Sequence, residues 1–285
     1  MTLGNSFHAW LKPLRRDITR LTTARDALYM LNMGGSAIGS GINVSYHYQV
    51  HIVPNLASIT NLPLTQAHDL FDATSNLDSF VALSGALKSL AVNLSKMSND
   101  LRLISSGPRS GLHEINLPAK QAGSSIMPGK VNPVIPEVVN QVAFEMIGFD
   151  ATITAAAEAG QLELNAFEPI IFKSLIAGIE HLTRAMDTLR INAVDGITIN
   201  KSRLSQDIDL SASFATAMAP IIGYQEAAKI AKESLRTGKS LRQIAGNKGV
   251  FSEDELAHIF KVEDIVINAR TPEHGLVLHA PKAKA

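Results

Sequence analysis

Apolar residues recur at alternating intervals of three and four along two long stretches of the chain. One stretch runs from Leu83 to Ile104, and the other runs from Ile171 to Ala193. This spacing places the apolar side chains on one face of an α-helix, the face that packs against neighbouring helices in a bundle. Each leucine buried there stabilises the fold by roughly 1.5–3 kcal/mol. The pattern therefore predicts two long bundle helices.

Two further stretches have a helical pattern that proline and glycine interrupt. Leucine and isoleucine form a stripe over residues 14–31, and Pro13 just before it predicts that the regular helix begins near that residue. From Pro136 to about Asp150 the spacing is again helical. The residues that follow extend this helical region, with a possible irregularity at Gly160.

Shorter units follow a turn at residues 195–200, whose sequence is DGITIN. In one of them, Ser252 and Glu255 have the spacing of a capping box, which predicts a helix start. The pattern as a whole predicts an all-α fold with two parts. Residues 1–200 form a long-helix bundle, and residues 201–285 form a small helical C-terminal domain.

Composition excludes several classes of function. The chain has 285 residues, of which 46% are hydrophobic and 18% are charged, compared with a typical charged share of about 25%. Much of its surface is therefore expected to be buried, in a core or in subunit contacts. Its 26 basic and 26 acidic residues cancel, which argues against binding to nucleic acid or to an anionic membrane.

The absence of cysteine rules out disulfides and thiolate chemistry. The sequence also has no apolar run long enough to span a bilayer, and its first residues lack the pattern of a signal peptide. These features predict a cytoplasmic protein.

Residues 123–133 read GSSIMPGKVNP and are the best candidate for a catalytic loop. Glycine and proline exclude a regular helix or strand, and glycine also lets the backbone approach a ligand closely. Between them lie the hydroxyls of Ser124 and Ser125, the ammonium of Lys130 and the carboxamide of Asn132. These groups suit an anionic ligand.

The residues after this loop predict a helix whose N-terminus points at the ligand. Asn132 is a favourable N-cap and Pro133 is tolerated at the first helical position, so the helix is expected to begin there. Its unpaired N–H groups and positive dipole end would favour a carboxylate. The alternative is structural: Asn132 is only a cap, Lys130 is solvated, and the serines are ordinary turn residues.

The longer segment QAGSSIMPGKVNPVIPEVVNQV resembles the signature loop of the fumarase/aspartase superfamily. Its second half, PVIPEVVNQV, is similar to the aspartate ammonia-lyase branch, whereas fumarate hydratases usually diverge directly after GSSIMPGKVNP. The stretch MGGSAIGSGIN at residues 33–43 resembles the superfamily's GGTAIGTGLN, and the C-terminal part resembles its small domain. There LSASFATAMAP departs from the pattern, with Leu210 and Ala219 where asparagines are usual.

The resemblance implies a role for each residue of the loop. Ser124 would be the catalytic base, and Ser125 would contact the substrate. Lys130, Val131 and Asn132 would bind its carboxylate, while Gly123 and Gly129 would act as hinges. The chemistry requires no metal and no organic cofactor, and the expected partners are a small dicarboxylate, aspartate or fumarate, and further copies of the chain in a homotetramer with shared sites.

The resemblance begins well inside the family's usual sequence, so the chain is expected to be N-terminally truncated and to supply only one part of each active site. Three functions therefore remain open. They are an aspartate ammonia-lyase, a fumarate hydratase, and a truncated helical module that oligomerises without catalysis.

His47 and His51 lie four residues apart and could share one face of a helix. No third ligand accompanies them at a spacing typical of metal sites, so the sequence does not predict a resident metal ion.

Overall fold

The computed structural model describes residues 2–121, 123, 129–211 and 213–260. α-Helices are the main secondary structure of the described chain and the strands have only two residues each, which confirms the predicted all-α fold. The helices are α1 (Leu3–Ala27), α2 (Tyr46–Thr60), α3 (Asp72–Ser75), α4 (Asp78–Ile104), α5 (Val134–Glu158), α6 (Glu168–Asn192), α7 (Lys201–Leu210), α8 (Phe214–Ile222), α9 (Tyr224–Thr237), α10 (Leu241–Asn247) and α11 (Glu253–Ile259). The strands are β1 (Met30–Leu31), β2 (Thr65–Gln66), β3 (Ile115–Asn116) and β4 (Thr198–Ile199), and a 3₁₀ helix lies at Val194–Gly196.

Residues 10–198 form one compact unit, and the remaining described residues form a second. Helix α5 of the first unit packs along both α4 and α6. Leu94 and Leu101 of α4 and Ile171 and Leu182 of α6 are buried in this core, so both predicted bundle helices are confirmed. A bundle of this kind holds the N-terminus of α5, and hence the end of the candidate loop, in a fixed position.

Buried polar contacts add specificity to the packing of α4 on α5. Asp150 accepts hydrogen bonds from Ser84 Oγ at 2.7 Å and from Lys88 Nζ at 2.5 Å. Nearer the start of α5, Asn140 Nδ2 donates to the carbonyl and the hydroxyl oxygen of Ser95, at 3.1 and 2.8 Å. Because a slip of either helix would leave these buried groups unpaired, the contacts fix the register of the two helices.

Helix α1 begins at Leu3, ten residues before Pro13, so the predicted start near Pro13 is wrong. A proline inside a helix removes one hydrogen bond and crowds the preceding turn, at a cost of about 3 kcal/mol. Asp17, which is fully buried, provides compensating contacts. Its carboxylate accepts hydrogen bonds from Arg20 Nη1 at 2.6 Å and from Asn93 Nδ2 of α4 at 2.7 Å.

The irregularity predicted at Gly160 lies next to a complete break in the helix. Helix α5 ends at Glu158, and residues 159–167 form a turn before α6, so the helical region does not continue through these residues as predicted. Asn165, which is only 4% exposed, donates to the carbonyl oxygen of Ala156 at 2.9 Å and accepts from Phe167 N at 2.8 Å. Its amide thus satisfies backbone groups that the helix end leaves free.

The second unit contains α7 to α11 around its own apolar core, whose fully buried members include Met218, Ile230 and Leu241. Ser252 Oγ accepts from Glu255 N at 3.3 Å, and the Glu255 carboxylate accepts from Ser252 N at 2.9 Å. The predicted capping box is therefore confirmed.

Candidate active site

Five of the seven predicted site residues lie in the described part of the chain. These are Gly123, Gly129, Lys130, Val131 and Asn132. Ser124 and Ser125, the predicted base and its neighbour, lie outside the described residues, so their roles stay predictions.

The two ends of the loop approach each other closely. A Cβ atom placed on Gly123 would lie 3.0 Å from the carbonyl oxygen of Lys130, a distance tighter than an ordinary van der Waals contact. Gly129 has φ +83°, in the left-handed region that favours glycine, and the space around its Cα is open. Glycine is therefore needed at these positions for two different reasons, close approach at Gly123 and backbone conformation at Gly129.

Lys130 and Asn132 are half-buried, and Val131 is 48% exposed. Among the described residues, neither Lys130 nor Asn132 has a hydrogen bond or an ion pair. The side chains of Lys130 and Asn132 are therefore not held by a polar contact to any other described residue.

Helix α5 begins one residue later than predicted. Its first residue is Val134, and Pro133 occupies the N-cap position without a side-chain hydrogen bond. Pro133 has φ −81° and ψ 52°, outside the α-helical region, so it precedes the helix instead of starting it. The prediction that Asn132 caps the helix is therefore wrong, and its carboxamide is not used for capping.

A cleft of about 180 Å³ lies beside the end of the loop. It is lined by Ser105, Gly107, Pro108, His113, Asn116, Leu117, Gly129, Val131 and Pro133. The wall formed by residues 105–117 is held by Ser106, whose hydroxyl donates to the Leu103 carbonyl at 2.6 Å and accepts from Leu112 N at 3.1 Å. Its volume and mixed polar and apolar lining suit a small molecule.

His113 and Asn116 were not singled out in the sequence, although both line this cleft. His113 adopts a left-handed conformation with φ 50°, which is uncommon for a residue other than glycine. Asn116 Nδ2 donates to Thr198 Oγ1 at 3.0 Å. The glycine- and proline-rich run SSGPRSGLHEINLP before the loop was a signal of irregular backbone, but it did not reveal which side chains line the cleft.

Glu137 follows the candidate loop and forms an ion pair with α4. It lies in the first turn of α5, five residues after Asn132, and its carboxylate is 3.8 Å from Arg102 Nη2. Arg102 Nη1 also donates to Asn140 Oδ1 at 3.3 Å, so both contacts join the start of α5 to α4.

Two larger clefts in the same unit are poor candidates for an anionic substrate. One, of about 920 Å³, is lined by Asp26, Asp72, Asp78 and Glu168 among other residues. The other, of about 600 Å³, includes Asp72, Asp78 and Glu158. Their carboxylates would repel a diacid, whereas the residues that line the 180 Å³ cleft include no carboxylate.

The described residues contain no group of three or more histidine, aspartate or glutamate side chains that could hold a metal ion. In the same part of the chain, no helix is both long and apolar enough to cross a membrane.

Comparisons with known proteins bear on both parts of the chain. The profile of a family described as "Lyase" matches residues 1–148, and a profile described as "Fumarase C C-terminus" matches residues 214–266. Curated aspartate ammonia-lyases are 49% identical over 267 residues (Pseudomonas aeruginosa) and 45% identical over 266 residues (Escherichia coli). Each alignment covers 93% of this chain and 56% of the relative, so the chain spans little more than half the length of these proteins.

Solved structures give the same picture. A Brucella melitensis protein described as fumarate lyase:delta crystallin, solved bound to cobalt, superposes with a TM-score of 0.88 at 46% identity, covering 91% of this chain and 56% of that one. The class II fumarase of Schistosoma mansoni superposes with a TM-score of 0.87 at 29% identity, covering 95% and 60%. With the lyase profile matching more than half of its residues, and this helical fold around the loop, the chain belongs to the fumarase/aspartase superfamily of lyases.

Proposed function

We propose that the chain forms part of an aspartate ammonia-lyase, which converts L-aspartate reversibly into fumarate and ammonia. The observation that carries the proposal is the identity of 45–49% to curated aspartate ammonia-lyases over at least 90% of this chain. The chain spans only 58% of a relative to which it aligns over 273 residues. The complete activity is therefore proposed for an assembly that also contains the part of these relatives that this chain does not cover.

The reaction removes a proton from Cβ of aspartate and then breaks the bond between Cα and nitrogen. Both electrons of the broken C–H bond first move into the neighbouring carboxylate, which becomes a doubly charged aci-carboxylate. They then return to form the double bond of fumarate as ammonia leaves. The catalytic problem is to stabilise that dianion, and donors placed beforehand in a water-poor site are each worth a few kcal/mol.

Lys130, Val131 and Asn132 are the proposed carboxylate-binding segment. The Lys130 ammonium opposes the added charge, the Asn132 amide donates a hydrogen bond, and Val131 contributes its backbone. The half-burial of Lys130 and Asn132 and their lack of partners among the described residues support this role. The 180 Å³ cleft has room for a small diacid and is lined by Val131, whereas Lys130 and Asn132 are not among its lining residues.

Ser124 is the proposed base, and Ser125 is a proposed substrate contact. A serine hydroxyl is normally too weak an acid to supply an alkoxide, so N–H donors, a helix terminus and a nearby ammonium must stabilise its charged form. Lys130, six residues after Ser124 in the sequence, and the start of α5 at Val134 are the groups proposed to meet that requirement. Gly123 and Gly129 are the proposed hinges through which the loop closes over the substrate.

The proposed assembly is a homotetramer whose sites are shared between subunits. The bundle supports this because its outer faces are rich in apolar side chains that one chain leaves exposed. Phe144 is 62% exposed, Ile147 42%, Ile176 65% and Ile179 43%. Burying such patches against further copies would remove them from water. A cytoplasmic location and the domain limits 1–200 and 201–285 belong to the same proposal.

Two other candidate functions differ from the proposed one in the substrate that the assembly would use. Fumarate hydratase is favoured by the fold shared with the Schistosoma mansoni fumarase, but the identity to that enzyme is only 29%. A non-catalytic oligomerisation module is favoured by the partial coverage of every relative described above. Substrate use separates all three.

The test is to measure fumarate by its ultraviolet absorbance. The chain is assayed alone and mixed with a fragment supplying the part of the Pseudomonas aeruginosa relative that it does not cover, with aspartate or malate as substrate. Fumarate from aspartate supports the ammonia-lyase, and fumarate from malate alone supports the hydratase. A correctly sized mixed assembly that uses neither substrate supports the non-catalytic module.

The Ser124→Ala variant tests the base. It should lose turnover in the mixed assembly while its helical circular dichroism stays unchanged. Ser205→Ala, at an exposed serine of α7, is the matched control and should retain full activity. Turnover retained by Ser124→Ala would remove this serine from the base role without affecting the family assignment.

A further inference from the structure

Two histidines lie stacked on the surface of α2. His47 and His51 are four residues apart in this helix, both are exposed, and their ring centroids are 4.3 Å apart with an angle of 26° between the ring planes. We propose that this pair is a chelating site for a divalent transition-metal ion such as Zn²⁺ or Ni²⁺, separate from the lyase reaction. The site would use one ring nitrogen from each histidine.

The hydrogen bonding of His51 leaves the correct nitrogen available. Its Nδ1 lies 2.7 Å from the carbonyl oxygen of His47, and a carbonyl can only accept. Nδ1 therefore carries the hydrogen, so in the neutral ring the lone pair is on Nε2. Histidines that bind metals usually have this arrangement, in which the other ring nitrogen donates to a backbone carbonyl or a carboxylate. The His51 side chain is thus already oriented as a ligand.

Binding one ion requires the two rings to leave their stacked arrangement. Zinc–nitrogen bonds of about 2.0–2.1 Å place two nitrogens of a tetrahedral site about 3.4 Å apart, with the ion in the plane of each ring. The lone pairs of nearly parallel rings 4.3 Å apart cannot converge on one ion, so the His47 ring must turn out of the stack while His51 keeps its hydrogen bond to the carbonyl. Because both side chains are exposed, nothing in the core opposes such a rotation.

The surroundings make this a binding site and not a hydrolytic centre. The intervening residues are Tyr48, Gln49 and Val50, so no carboxylate lies between the histidines to act as a general base. Helix α2 contains no aspartate, glutamate, lysine or arginine. No third histidine or carboxylate among the described residues joins the pair in a three-ligand group, so water would fill the other coordination positions.

The ion would also stabilise the first half of α2. Ser45 caps the start of the helix by accepting from Tyr48 N at 3.2 Å. Further along, Pro54 has no N–H to donate to the carbonyl oxygen of Val50, so the helix lacks one backbone hydrogen bond there. Two side chains joined by an ion across one turn would hold this segment in the helical form. Metal binding to the folded chain should then raise the melting temperature.

The test is isothermal titration of the whole chain with NiCl₂ or ZnCl₂, after treatment with EDTA and its removal. We expect one site of micromolar affinity, weakened at least about tenfold in either His47→Gln or His51→Gln. The melting temperature should rise with Ni²⁺ in the wild type and not in these variants. His181→Gln, which removes an exposed histidine already bonded to Glu145, is the matched control and should bind as the wild type does.

MgCl₂ should give no heat, because imidazole is a poor ligand for this hard cation. Unchanged affinity in both His47→Gln and His51→Gln would overturn the proposal, as would the absence of binding at millimolar NiCl₂ and ZnCl₂. Circular dichroism of each variant establishes that the helix is intact. None of these readouts depends on lyase activity.

Discussion

Gly123 and Lys130 meet at the base of the candidate loop. The Cα atom of Gly123 lies so close to the carbonyl oxygen of Lys130 that an added Cβ would be only 3.0 Å from it. The backbone that leads into the loop therefore touches the backbone that leaves it. Any side chain at residue 123 would displace Lys130, a proposed ligand of the substrate carboxylate.

Gly123→Ala should therefore lower activity without unfolding the protein. The Lys130 carbonyl would have to move by a few tenths of an ångström. Small displacements of a substrate-binding group cost up to about 100-fold in rate. We expect a 10- to 100-fold loss of kcat/KM for aspartate in the complete assembly, with an unchanged melting temperature.

Gly246→Ala is the matched control, because the added Cβ in α10 would meet only Leu256 at an ordinary van der Waals distance of 3.5 Å. Alanine is the better helix former by about 1 kcal/mol, so this variant should be active and slightly more stable. Equal activities of the two variants would show that the contact at Gly123 has no role in catalysis.

Asn132 and Asn140 should respond to substitution in opposite ways. Asn132 has no partner among the described residues, so Asn132→Ala should leave the free energy of unfolding unchanged and lower kcat/KM about 100-fold, as expected for a lost transition-state donor. Asn140 is 3% exposed and hydrogen-bonded to Ser95, so Asn140→Ala should destabilise the chain by about 1–3 kcal/mol.

Urea unfolding and steady-state kinetics on the same preparations separate the two effects. A loss of stability in Asn132→Ala that equals the loss in Asn140→Ala would return Asn132 to a structural role.

The sequence predicted well the elements that depend on a regular repeat. Helices α4 and α6 were found because buried leucines recur at three and four residues, a pattern that few other structures produce. Glycine, proline and reactive side chains coincide in the candidate loop, and its described residues, Gly123 and 129–133, lie outside helices and strands as predicted. In these places local sequence and tertiary structure favour the same answer.

The errors occur where a tertiary contact overrides a local signal. Pro13 predicted a helix start, but buried Asp17 and its partner Asn93 hold α1 on α4 and offset the cost of the proline. Asn132 was expected to cap α5, yet Pro133 takes that position. The residues of the cleft, such as His113, come from a segment that precedes the loop, and a single sequence does not show that they meet it.

Two fully buried serines on α4 offer a test of how much a hydrogen bond matters in this core. Ser84 Oγ donates to Asp150 at 2.7 Å, whereas Ser98 Oγ has no hydrogen-bond partner in the part of the chain that the structure describes. Ser84→Ala should lower the free energy of unfolding by about 1–3 kcal/mol, because a buried carboxylate oxygen loses its donor. Ser98→Ala removes an unpaired hydroxyl and should be neutral or stabilising by up to about 1 kcal/mol.

Denaturant unfolding of the two variants side by side measures the difference, and each change removes the same single oxygen atom. Equal destabilisation would mean that the two hydroxyls contribute through packing and not through hydrogen bonding.

Asp17 should be the residue on which the attachment of α1 to α4 depends most. Its buried carboxylate accepts from Asn93 Nδ2 at 2.7 Å, and Asp17→Ala would leave that amide unpaired. A buried donor left without its acceptor costs about 1–3 kcal/mol, so we expect a loss of that size. Trp10, the chain's single tryptophan, donates to Asp100 of α4 at 2.7 Å, so its fluorescence reports whether α1 stays attached.

A double-mutant cycle with Asn93→Ala isolates the pair. If the contact joins the helices as described, the double variant should lose less stability than the sum of the two single variants. The Trp10 emission should shift to longer wavelength in Asp17→Ala at a lower urea concentration than the loss of helical circular dichroism, since α1 would detach before the α4–α5–α6 bundle unfolds. Simultaneous transitions by both probes in Asp17→Ala would instead mean that α1 and the bundle unfold as one cooperative unit.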